Sequence, residues 1–264
     1  MRYYLGTHSS EFHVKALLDT HVSNILITYA DFKKSPDKAV ALINRFKDAN
    51  VIVDSGAFSV WNSGGSVDRE KLIDFYVYIK ENVSVKNVNF INLDEIPGKK
   101  GIKPTTEEAY NACVVSHENY VFFKNMGINV LPVFHEGDHF EFLEIYKKEA
   151  DYIAISPAND SSAKRRMVWL DSVFSNLRAE YKTHGLAATS PKLLERYPFY
   201  SVDSINWKAV HLYGNSKSID KKYARSLIRH PDTRDGMLQK EILYFLELEK
   251  DITNLWEKRG IKWE

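Results

Sequence analysis

Short apolar runs alternate along the chain with longer segments of helical period. Apolar runs of roughly four to eight residues are typical of strands, and apolar residues three and four positions apart are typical of amphipathic helices. The pattern predicts eight strands: 2–6, 24–29, 50–54, 87–94, 129–134, 152–156, 182–187 and 199–203. It predicts helices in most of the gaps: 37–48, 68–82, 105–126, 138–149, 161–180 and 191–197.

The order of these elements predicts an α/β fold. Several strands are apolar throughout, which is typical of strands buried on both faces. Eight β/α units are the number that closes a (β/α)₈ TIM barrel. We therefore predict a catalytic barrel over 1–220 and a C-terminal helical extension over 221–264 that packs on it. An open doubly wound sheet is the alternative, although no G-x-G-x-x-G motif follows the first strand.

Composition narrows the possible partners. The chain has 264 residues, of which 44% are hydrophobic, enough for a sizeable core. A net charge of +1 gives no global basic signature, so any nucleic acid would bind through a local patch. The single cysteine, Cys113, excludes a disulfide within the chain and a cysteine-based zinc site. With neither a signal sequence nor a membrane span in the pattern, we expect a cytoplasmic protein.

Polar or ionisable residues follow almost every predicted strand, where a TIM barrel carries its chemistry. Each of them alone also fits a turn, a helix cap or a structural histidine. Three aspartates directly follow apolar runs, however, and burying three carboxylates is costly without a functional or ion-pairing reason. We therefore predict one pocket at the strand ends. Its predicted members are Asp54, Asp94, His135, His184 and Asp203. The full set of strand-end residues is His8, Tyr29, Asp54, Asp94 with Glu95, His135 with Glu136, Ser156, His184 and Asp203.

Two kinds of chemistry are open to such a pocket. Histidine and aspartate ligands on separate strands could hold zinc, manganese or iron, although no His-x-His or H-E-x-x-H motif supports this. The carboxylates could instead divide the roles of nucleophile and general acid/base. Phe58, four residues after Asp54, could stack on a flat substrate, or it could be a core residue beneath the loop.

Five segments resemble motifs of the tRNA-guanine transglycosylases, over roughly residues 50–207. Residues 53–58 (VDSGAF) resemble that family's Asp-Ser-Gly-Gly-aromatic motif. Its later strand-end motifs resemble 90–95 (FINLDE), 132–137 (PVFHEG), 183–186 (THGL) and 199–204 (FYSVDS). The chain lacks the cysteine cluster of the family's zinc subdomain and is short. It therefore most resembles the phage-type DNA-guanine transglycosylases, which insert 7-deazaguanines into DNA.

The resemblance implies a base exchange through a covalent intermediate. Asp203 would attack C1′ of the nucleotide, and Asp54 would be the general acid/base. Phe58 and His184 would sandwich the base, and Asp94 would accept hydrogen bonds from its N1/N2 edge. The full set of substrate-binding residues implied is Phe58, Asp94, His135, Ser156, His184 and Gly185. His135 would lie near the purine O6.

The resemblance also implies the partners. We expect DNA rather than RNA as the polymer, a 7-deazaguanine base as co-substrate, and no cofactor, structural zinc or membrane. The protein would be a monomer or homodimer in the cytoplasm, that of the host cell if the gene belongs to a phage. Apart from the resemblance, local clusters of positive charge predict phosphate contacts from Lys164, Arg165, Arg166 and Lys217, although a solvated helix face is the more common explanation for any one such cluster. The alternatives are a tRNA-guanine transglycosylase, a metal-dependent TIM-barrel hydrolase and a non-catalytic binding module.

Overall fold

A computed structural model describes residues 1–98, 102–157, 162–178, 181–209 and 234–263. Within these ranges the chain forms nine parallel strand segments in the order β5-β4-β3-β2-β1-β9-β8-β7-β6. Their bounds are β1 Arg2–Gly6, β2 Asn24–Thr28, β3 Asn50–Asp54, β4 Asn87–Ile91, β5 Val130–Leu131, β6 Val133–His135, β7 Tyr152–Ser156, β8 Lys182–Gly185 and β9 Ser201–Ser204.

Pro132 separates β5 from β6 and explains why nine segments form a ring of eight strands. Proline has no backbone N–H to donate to a neighbouring strand. Its carbonyl still accepts a hydrogen bond from the Ala154 N–H at 2.8 Å, and the Leu131 carbonyl accepts one from Asn92 at 2.9 Å. The segment 130–135 thus joins β4 to β7 and brings the two ends of the strand order together. The predicted TIM-type barrel is confirmed.

Helices occupy the gaps between the strands. In the described ranges they are α1 Glu11–Asp19, α2 Tyr29–Phe32, α3 Pro36–Ile43, α4 Ala57–Asn62, α5 Arg69–Asn82, α6 Thr106–Asn125, α7 Phe140–Glu149, α8 Ala163–Asn176 and α9 Pro191–Arg196. A 3₁₀ turn, Asn206–Lys208, follows β9. The sequence pattern did not predict α1, α2 or α4. Each is short, and a short helix has too few turns to establish a clear period.

Successive side chains along each strand point alternately into two apolar regions. One residue from each of seven segments fills the barrel interior: Tyr4, Leu26, Ile52, Ile91, Leu131, Val133 and Ala154. The neighbouring residues on the strands, such as Tyr3 and Val51, belong to the larger core beneath the surrounding helices. Because side chains alternate with period two, this pattern fixes which residues point into the barrel at the end of each strand.

A C-terminal helix, Arg234–Lys258, packs on the barrel. Its apolar face is part of the larger core. At the amino-terminal end of the barrel, Glu249 accepts hydrogen bonds from the Tyr3 N–H at 2.7 Å and from Asn24 Nδ2 at 3.2 Å. The predicted extension began at residue 221, and residues 210–233 lie outside the described ranges. No helix among the described residues is both long and apolar enough to cross a bilayer.

Candidate active site

Side chains along a strand alternate between its two faces, and this alternation places polar side chains at the mouth of the barrel. Two residues beyond the interior residue Ile52 lies Asp54, two beyond Val133 lies His135, and two beyond Ala154 lies Ser156. All three therefore end their strands on the inward side, at the carboxyl end where barrel enzymes bind substrates. The structure thus places these three predicted residues at the carboxyl end of the barrel.

Asp54 sits at a turn that only glycine accommodates. Gly56 has a φ of 74°, and a Cβ there would lie 2.9 Å from the Cβ of Ala30. Its N–H donates to Asp54 Oδ2 at 3.0 Å. Burial and the charge of Asp94, with a further contribution from Asp203, raise the pKa of Asp54 to about 7, against the effect of hydrogen bonds from Thr28 and Gly56. Near neutral pH this carboxyl can therefore both give and take a proton.

Asp94 forms a buried pair with His135. His135 Nε2 lies 2.8 Å from Asp94 Oδ2, and the two side chains are 15% and 8% exposed. Burial disfavours the imidazolium, but the hydrogen bond to Asp94 and the charges of Asp94 and Asp138 outweigh it and raise the pKa of His135. Asp138 also accepts the His135 backbone N–H at 2.8 Å. His135 therefore orients the carboxylate of Asp94 and helps to balance its charge.

Asp203 is held from two sides at the end of β9. The Ala187 N–H donates to its Oδ1 at 3.0 Å, and His184 Nε2 lies 3.3 Å from the same oxygen. On the other side of the imidazole, His184 Nδ1 lies 2.6 Å from Ser201 Oγ, which in turn forms a short hydrogen bond with the Tyr152 hydroxyl. A chain of polar groups thus runs from the barrel interior to the Asp203 carboxylate.

The structure corrects the interpretation of His184. The residue is completely buried, and its ring lies edge-on to Tyr4 and Tyr152 at centroid distances of 5.9 and 6.4 Å. Such a ring has no open face on which a base could stack. Sequence reasoning placed His184 at the strand end, whereas it pairs with Ser201 inside the barrel. It supports Asp203 from below.

Phe58 is an exposed aromatic residue and not part of the core. It is 60% exposed on α4, the helix that follows Asp54. Its ring stacks on Trp61 at a centroid distance of 6.0 Å, and Trp61 Nε1 donates to the Gly98 carbonyl at 3.2 Å. An exposed large aromatic side chain near a polar pocket is available to stack on a flat ligand.

Ser156 and Gly185 lie on neighbouring strands at the carboxyl end of the barrel. The Ser156 carbonyl accepts the Glu136 N–H at 3.0 Å, opposite His135 in the sheet. A Cβ at Gly185 would lie 2.9 Å from the Cβ of Ala188 and 3.0 Å from the Phe199 ring. Gly185 is therefore required by packing beneath the 185–188 turn, the turn that presents the Ala187 N–H to Asp203.

The predicted basic residues begin α8, after β7 and at the same end of the barrel. Lys164 and Arg165 are exposed, and Arg166 is half-buried. Arg165 Nε donates to Glu136 Oε1 at 2.8 Å, so its charge is partly balanced within the chain. Lys217 lies outside the described residues.

The structure does not support a metal site among the described residues, where no three His, Cys, Asp or Glu side chains are placed to hold one ion.

Tyr29 does not join the predicted ring of strand-end residues, because its side chain packs outward on Phe75 at a centroid distance of 5.2 Å. Sequence reasoning missed Ser201 and Tyr152. Ser201 precedes Asp203 by two residues, and strand periodicity could have placed both on one face.

The fold and these strand-end carboxylates define a TIM-type barrel with ionisable side chains at its carboxyl end. A structure described as "Native KDPGal structure" is similar to this chain, with a TM-score of 0.50, 10% identity, and coverage of 96% of this chain and 97% of that one. A cube-shaped, highly porous protein cage, designed by fusing symmetric oligomeric domains, matches with a TM-score of 0.45, 12% identity, and coverage of 100% and 87%. The first likeness supports the fold alone. No protein-family model matches the sequence, and no curated protein matches it either.

Proposed function

We propose that the protein is an enzyme that replaces guanine in DNA with a 7-deazaguanine through a covalent Asp203–sugar intermediate. The observation that carries this proposal is the pair of aspartates at the barrel mouth. Asp54 has a pKa of about 7, suited to proton transfer. The Asp203 carboxylate accepts a hydrogen bond from the Ala187 N–H and lies 3.3 Å from His184 Nε2, which suits a nucleophilic carboxylate. Two carboxyl groups in these roles carry out double displacement at an anomeric carbon.

In the first step, an oxygen of Asp203 attacks C1′ of the target nucleotide. The bond between C1′ and the guanine nitrogen breaks, and Asp54 in its acid form gives its proton to the departing base. In the second step, Asp54 takes a proton from the ring nitrogen of the incoming base as that nitrogen attacks C1′. The Asp203–C1′ bond breaks, and the free carboxylate is restored. Each step needs the opposite protonation state of Asp54, which a pKa near 7 makes accessible.

The Asp94–His135 pair supplies base recognition. The guanine N1–H and N2–H groups are both donors, and a carboxylate with two acceptor oxygens matches them. The bond from His135 fixes the orientation of Asp94 before the base arrives. Phe58 offers a ring on which the base can stack, and a base in a duplex would first be flipped out of the helix.

The test is mass spectrometry of nucleosides from DNA incubated with the protein and 7-cyano-7-deazaguanine, beside a tRNA control. We expect 7-cyano-7-deaza-2′-deoxyguanosine among the nucleosides from DNA, and no corresponding modified nucleoside from tRNA. Asp203→Ala should abolish both guanine release and a denaturation-resistant protein–DNA adduct. Asp48→Ala, at an exposed site near the amino-terminal end of the barrel, is the matched control. If Asp203→Ala exchanges labelled guanine at the wild-type rate, the assignment of the nucleophile is wrong.

A further inference from the structure

A buried lysine lies at the same end of the barrel as the candidate active site. Strands β1 and β9 pair in parallel, with Leu5 opposite Ser204. His8 follows the first of these partners by three residues and Lys208 follows the second by four. His8 and Lys208 therefore follow neighbouring strands at the carboxyl end of the barrel, and Lys208 follows β9, the strand that carries Asp203.

Lys208 lies near an aromatic ring but has no anionic partner among the described residues. The residue is 8% exposed, and its Nζ lies 5.8 Å from the centre of the Trp207 ring. Trp207 is fully buried, and its Nε1 donates to the Gly6 carbonyl at 3.0 Å, which anchors the 3₁₀ turn to β1. Among the described residues, no acceptor forms a hydrogen bond with the ammonium and no carboxylate lies within ion-pair distance. The exposed carboxylate of Asp31 acts only at longer range.

The surroundings of Lys208 do not supply a counter-charge either. His8 Nδ1 accepts the Ser10 N–H at 3.2 Å, and its Nε2 lies 3.3 Å from His13 Nδ1. Burial and the charge of Lys208 lower the pKa of His8, which disfavours the imidazolium form of that ring. Burial also lowers the pKa of Lys208, which Asp31 offsets in part. The Lys208 side chain is largely buried without a counter-charge, which disfavours its ammonium form, and an anion supplied by a ligand would offset that cost.

We infer that Lys208 binds a backbone phosphate of the DNA strand, next to the nucleotide that Asp203 attacks. This inference rests on the proposed function for the identity of the anion. The site is separate from the exposed basic residues of α8, and a preformed, partly buried ammonium contributes more to phosphate binding than an exposed one. Such a contact fixes the position of the strand without reading its sequence.

The experiment measures binding apart from chemistry. Asp203→Asn protein is titrated into a fluorescein-labelled single-stranded oligonucleotide with one guanine, and anisotropy is followed at several salt concentrations. Adding Lys208→Met, which keeps the unbranched stem, should weaken binding about tenfold. The slope of log K against log salt should fall by about 0.7. Lys208→Arg should retain affinity, and Lys47→Met, at an exposed site near the other end of the barrel, should change neither quantity.

Each outcome decides the inference. Equal affinities and slopes for Lys208→Met and Lys47→Met would overturn it. Binding of inorganic phosphate that depends on Lys208, with oligonucleotide binding that is the same with and without Lys208→Met, would assign the site to a free phosphate and also overturn the inference. If Lys208→Met does not fold, acetylation of the wild-type protein decides, because bound oligonucleotide should protect Lys208 and not Lys47. If the protein does not exchange guanine but its oligonucleotide binding depends on Lys208, only the proposed reaction is refuted.

Discussion

Replacing Asp54 by asparagine should stabilise the fold at alkaline pH while abolishing activity. The pKa of this carboxyl is raised from 3.8 to about 7, first by burial and then by the charge of Asp94. A carboxyl whose pKa is higher in the fold than in the unfolded chain binds its proton more tightly in the fold. Its contribution to stability therefore falls as pH rises from about 4 to about 7, and above that range the full penalty is present. Asparagine is neutral throughout and avoids the penalty.

The size of the effect follows from the pKa. At about 1.4 kcal/mol for each pKa unit, the ionised Asp54 costs about 4 kcal/mol at pH 8 and about 1.5 kcal/mol at pH 5. Urea unfolding of Asp54→Asn should therefore show a gain in the free energy of unfolding that is larger at pH 8 than at pH 5. Asp48→Asn, an exposed control, should show no such difference. A gain at pH 8 no greater than at pH 5 would refute the buried-carboxylate reasoning.

Two further predictions concern the support beneath Asp203. His184→Leu should lower kcat for guanine release by tenfold or more with little change in KM. His184→Gln, which keeps a donor near the Nε2 position, should restore part of the lost kcat. Equal kcat values for the two variants would contradict a positioning role for His184. Gly185→Ala should lower the free energy of unfolding by roughly 1–3 kcal/mol, because its Cβ would press on Ala188 and Phe199. Thermal or urea unfolding checks this, and an unchanged stability would show that the 185–188 turn can relax.

The strands could be predicted from the sequence because a buried strand appears there as a short apolar run. All eight predicted strands exist, and most differ by only a few residues at their ends. The break at Pro132 was visible as a proline within an apolar run, but its pairing with two different neighbours depends on barrel closure, which is a tertiary property. α1 was missed because its nine residues bury one short face, His13 to Leu17.

The sequence predicts which residues belong to the candidate site better than it predicts which of their side chains contact each other. Polar residues at strand ends converge in a barrel, so Asp54 and His135 could be placed together from the sequence alone. Which side chain a histidine meets depends on strand register. His184 lies opposite Ser201 in the sheet, and that register buries a ring that the sequence placed at the strand end. The pairing of His135 with Asp94 likewise depends on the path of the loop after β4.

The pairing of β1 with β9 also has a consequence for synthesis of the protein. Arg2 lies opposite Ser201, and the Tyr3 N–H is bound by Glu249, which is 246 residues further along the chain. Contacts of such long sequence separation form slowly, because the ends of a long segment must first meet. During translation, β1 therefore emerges with one edge unpaired and stays so until most of the chain has left the ribosome. Until that point the nascent chain exposes a strand edge that chaperones or neighbouring nascent chains can bind.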